Sequence, residues 1–139
     1  MDGPEAPEPA KLRVTVADAK ATPIDTGRDT ARLLAHGSME LRWFVPRQGD
    51  PQTPHDKDEL YVIVSGTGVF MRAVESLPFD DITLPIQGEE RVRFGPGDVL
   101  FVPAGTVHRF EEFSDDFAAW IVFYGPEGGE WHSCVKAGR

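Results

Sequence analysis

Nowhere in this 139-residue chain does an apolar pattern of helical period persist beyond one or two turns. Short runs rich in β-branched and aromatic residues alternate instead with turn signals, drawn from 14 glycines and 12 prolines. A chain so punctuated cannot build a helical core. It points to an all-β sandwich or barrel of many short strands. The alternation predicts strands at 12–16, 30–35, 39–45, 60–64, 69–74, 91–94, 99–102, 107–111 and 117–124. Residues 20–29 read as loop, and 75–88 as a long surface excursion suited to a lid.

Length allows one domain with a single core. Residues 1–10, acidic and proline-rich, read as a disordered tail, and residues 11–139 as the single domain. The net charge of −9 argues against nucleic acid or an anionic membrane as partner. The acidic N-terminus is the reverse of a signal peptide, and the apolar run 117–124 is too short to span a bilayer. With Cys134 alone, no disulfide framework within the chain is possible, so a soluble, cytoplasmic protein is expected.

Chemistry concentrates in residues 49–68, GDPQTPHDKDELYVIVSGTG. His55 and Glu59 would lie roughly 13 Å apart on one straight strand, too far to share an ion. A hairpin reversal at Asp56-Lys57-Asp58 would set them face to face across two strands, about 5 Å apart at Cβ, a geometry suited to a shared metal. Tyr61 and Ile63 share the parity of Glu59 and are expected to line a cavity, with Gln52 and Thr53 near its mouth. Leu60, Val62 and Val64 make the opposite face apolar, which calls for a second sheet or a second subunit to cover it and favours a homodimer. A second strand–turn–strand unit, GPGDVLFVPAGTVHRF, places His108 and Phe110 on one face just past the turn at Pro103-Ala104-Gly105. His108 there is either a ligand or a hydrogen-bonded core residue. Arg42 and Arg109, at alternate strand positions, read as paired or solvated rather than as substrate-binding. His36 and His132 read as solvent-exposed, and Cys134 has no partner that would make it a nucleophile.

The two units together resemble the paired motifs of the cupin superfamily. In the first motif His55 stands at the second histidine, Glu59 follows after three intervening residues, and Gly66 after six more. In the second motif Gly97, Pro103, Gly105 and His108 match. The chain departs from the pattern at Arg47 (a glycine in the family), Thr53 (the first histidine) and Glu112 (an asparagine). The resemblance covers about residues 39–124. It implies a double-stranded β-helix, the jelly-roll type of barrel. It also implies one divalent metal (Fe, Zn, Mn or Ni) held by His55, Glu59 and His108, with open positions for substrate. A metal-dependent enzyme of dioxygenase, isomerase or lyase type acting on a small organic molecule is the expected function, and a non-catalytic small-molecule binding module the alternative.

Overall fold

The structure is a computed structural model and describes residues 11–46, 55–76 and 86–130. The proposed disordered tail, Gln52 and Thr53, the middle of the 75–88 excursion, His132 and Cys134 all lie outside the described residues.

One short helix, α1 (Val16–Ala21), precedes eight strands: β1 (Thr30–His36), β2 (Met39–Phe44), β3 (Asp58–Ser65), β4 (Gly68–Ser76), β5 (Ile86–Phe94), β6 (Val99–Val102), β7 (His108–Phe113) and β8 (Ala118–Tyr124). They form a five-stranded sheet in the order β1-β2-β8-β3-β6 and a three-stranded sheet in the order β5-β4-β7. All pairings are antiparallel. From β3 onward the chain steps repeatedly between the two sheets, through tight turns at Gly66, at 95–97, at 103–105 and at 114–117. This is the double-stranded β-helix. Among the described residues no helix is long and apolar enough to cross a membrane.

Period-two alternation decides what the sheets enclose. Tyr61 and Ile63 of β3, Leu100 and Val102 of β6, and Ile121 and Phe123 of β8 face inward from the large sheet. Phe70, Phe94 and Phe110 meet them from the small one. Phe117, 2% exposed, sits at the centre, its ring 4.8 Å from Phe110 and 4.9 Å from Phe94. Aromatic pairs at such distances add to the burial that closes the barrel. The small sheet's outer side is charged instead, with Arg91 on Glu89 and Glu111.

The start of the chain departs from its sequence reading. Residues 12–16 form no strand; Thr15 caps α1. Its Oγ1 accepts the Asp18 N–H and Asp18 in turn accepts the Thr15 N–H, both at 3.0 Å, a reciprocal capping box. These bonds also hold the Asp18 carboxyl below its ordinary range. Val14 and Val16 mimic strand alternation, but they pack beside Ala19 onto Ala31, Trp43 and Ala118 on the outer side of the large sheet. The helix therefore covers one end of that apolar face. The hairpin of β4 and β5 also outruns its sequence signal, pairing residues 68–76 with 86–94 throughout.

Candidate metal centre

Glu59 enters the barrel from the start of β3 and is fully buried. His108 opens β7, and its ring is nearly as enclosed. His55 precedes β3 and stays about one-third exposed. Their approach is not made by a strand hairpin, because β3 pairs with β6 and β8 rather than with a strand carrying His55. A bend at 55–57 does it, pinned by distant segments: the His55 carbonyl accepts the Gly105 N–H at 2.6 Å, and the Asp56 carbonyl the Gly128 N–H at 2.8 Å.

The result is a convergent cluster. Glu59 Oε1 lies 3.4 Å from His108 Nε2 and 3.8 Å from His55 Nε2. One donor atom from each of the three residues falls within 4.8 Å of the others. Ligand atoms sit about 2.0–2.2 Å from zinc, which puts neighbouring donors roughly 3.0–3.6 Å apart. The donor set fits a divalent ion after closing by about an ångström. Protonation supports the same chemistry. His108 Nδ1 is 2.9 Å from the Thr106 carbonyl, which can only accept, so Nδ1 carries the proton and Nε2 turns its lone pair inward. Tyr61 donates to that lone pair at 3.1 Å. Burial pushes both imidazoles below 6.5; for His55 the fields of His108 and Arg28 add to it against Asp56, and for His108 the Thr106 bond opposes it. Neutral rings are what a metal requires.

A pocket of about 330 Å³ opens over the cluster. His55, Tyr61 and His108 form its floor, and Phe44, Ile121 and Phe123 its walls. Its rim is the 27–30 loop. Ile63 and Phe110 do not line it; they are buried in the core cluster. The wall residues were recoverable from parity, since Phe123 pairs with Glu59 and Ile121 with Tyr61 across β3 and β8. Nothing local marked the rim. Arg42 pairs with Asp25 and Glu40, and Arg109 with Glu111.

Asp58, next to Glu59, is 3% exposed and joins three segments around the site. Its Oδ1 accepts the Ala104 N–H at 2.9 Å and its Oδ2 the Glu130 N–H at 3.1 Å. Asp58→Ala removes the partner of two N–H donors, half-buried at Ala104 and exposed at Glu130, and is expected to cost about 2 kcal/mol. Urea unfolding should show a lowered midpoint at unchanged slope, with Asp58→Asn, which keeps one acceptor, intermediate. An Asp58→Ala midpoint equal to wild type would deny the residue this role.

No family model matches the chain. An uncharacterised protein of Streptomyces coelicolor is 36% identical over 78 residues, 56% of this chain, and the chain spans 60% of the length of that relative. Among solved structures, a Bacillus halodurans protein superposes with a TM-score of 0.54 at 12% identity, over 93% of this chain and 98% of its own. A Cupin 2 conserved barrel domain protein from Salinispora arenicola gives 0.51 at 18% identity, over 85% of this chain and 91% of its own. At such identities the likeness is one of fold alone, that of the conserved cupin barrel.

Proposed function

We propose that this cupin holds one divalent metal on His55, Glu59 and His108 and acts as a metal-dependent enzyme on a small organic molecule in the pocket above them. The observation that carries the reading is the convergence of two imidazoles on the floor of an otherwise apolar-walled pocket with a buried carboxylate beside them. A divalent ion in that position supplies Lewis acidity. The chain's own residues supply the rest. The Thr106 carbonyl fixes the tautomer and tilt of His108. Phe123 packs edge-on against the His55 ring at 4.9 Å, which limits its rotation and screens one side from water. Tyr61 places a hydroxyl beside the donors, where it can orient a polar substituent of the substrate.

Elemental analysis of protein purified without chelator tests the reading. Close to one transition-metal ion per chain is expected; only traces, even after reconstitution, would end it.

A homodimer through the large sheet belongs to the same proposal. Helix α1 covers one end of that sheet's outer face, while Val99 (56% exposed) and Phe101 (40%) stand out at the β6 edge beside Leu60 and Val62. Light scattering is expected to give twice the chain mass, and Phe101→Lys to halve it. A monomeric wild type at micromolar concentration would refute this.

A further inference from the structure

The pocket rim is shaped by a buried arginine that faces away from solvent. Arg42 is 4% exposed and shares the parity of Phe44 on β2. Its guanidinium donates to Asp25 Oδ2 at 2.7 Å and Thr30 Oγ1 at 2.9 Å, and lies 3.2 Å from Glu40. Both ends of the 25–30 loop are thereby tied to the barrel, and Arg42's charge is matched by two carboxylates. The Arg28 N–H donates to the Asp25 carbonyl at 3.0 Å, so Arg28 rides on the tied segment.

Arg28 differs from the other arginines near the site. It lines the pocket, and among the described residues its guanidinium makes no hydrogen bond or ion pair. It is the only arginine or lysine lining the pocket among the described residues. Asp29, the adjoining rim residue, also lines the pocket. A carboxylate on the same rim disfavours a ligand that carries more than one negative charge.

We propose that Arg28 is the specificity-determining residue of this pocket and selects a small monocarboxylic acid. The planar fork takes the carboxylate at the rim. The short apolar body lies against Phe44, Ile121 and Phe123, and the far end reaches the floor. That the far end is where reaction occurs rests on the metal-centre reading above; recognition by Arg28 does not.

The test uses hexanoate and benzoate, each against its uncharged amide, titrated calorimetrically into the metal-loaded full chain. Wild type is expected to bind each acid about tenfold more tightly than its amide. In Arg28→Ala the preference should vanish while amide affinity and metal content stay unchanged, and Arg28→Lys should keep part of it. The proposal is overturned if the preference survives in Arg28→Ala, if wild type binds acid and amide alike, or if neither acid binds at millimolar concentration. Should wild type carry no metal, the metal-centre reading fails separately, and the acid–amide contrast on the metal-free chain still decides the role of Arg28.

Discussion

His108→Ala is expected to lower metal affinity at least a hundredfold, and Glu59→Gln to do the same without changing side-chain volume. Donor count and preorganisation both point that way. Three donors converge, and His108 is the more firmly held of the two imidazoles: its ring is 6% exposed against 34% for His55, and the Thr106 carbonyl fixes its tautomer. Removing it leaves a carboxylate and a partly exposed ring, a pair that competes poorly with water for a transition metal. Glu59→Gln retains the shape of a fully buried side chain while replacing an anionic donor by a neutral amide. Metal content after dialysis and competition with a chromophoric chelator measure both variants. Far-ultraviolet dichroism confirms that each is folded. Wild-type occupancy in Glu59→Gln would show that the cluster is not the ligand set, whatever His108→Ala does.

What could be read in the sequence was whatever local alternation encodes. The inward parity of Glu59, Tyr61 and Ile63, and of His108 and Phe110, follows from period-two geometry and holds in β3 and β7. Where long-range contacts decide, local pattern was silent or misleading. Residues 12–16 alternate as a strand would, yet the Thr15–Asp18 capping box and the packing of Ala19 make residues 16–21 helical. The first half of β5 carries no strand signal because Glu89 and Glu90 give it no apolar period; cross-strand pairing, including Arg72 on Glu90, holds it. The reversal that joins His55 to Glu59 depends on bonds from Gly105 and Gly128, and the rim depends on Arg42 reaching Asp25 and Thr30. No stretch of local sequence reports those partners. The three side chains that converge, His55, Glu59 and His108, were thus legible, while the arginine on the pocket rim was not.

Gly66→Ala is expected to cost about 4 kcal/mol or more, a large part of the roughly 5–15 kcal/mol that holds a domain of this size together. Gly66 links β3 to β4 with φ +88°, a region L side chains occupy only under strain. Strain alone is worth roughly 1–2 kcal/mol. Steric overlap costs more. A Cβ there would overlap the Cα of Phe117 and come within 2.7 Å of its backbone nitrogen. No flexible side-chain end can move aside; the turn before β8 must shift as a unit. That shift drags Phe117 from the centre of the aromatic core and displaces the strand carrying Ile121 and Phe123, so the pocket wall fails with the fold. Gly97 supplies the control. Its φ is +90°, but a Cβ there meets nothing within 4 Å, so Gly97→Ala carries the backbone strain alone and should cost about 1–2 kcal/mol. Chemical denaturation of the two variants side by side separates overlap from strain. Equal losses at both positions would mean that the close approach of Phe117 to Gly66 has no energetic weight, and that backbone strain by itself explains both glycines.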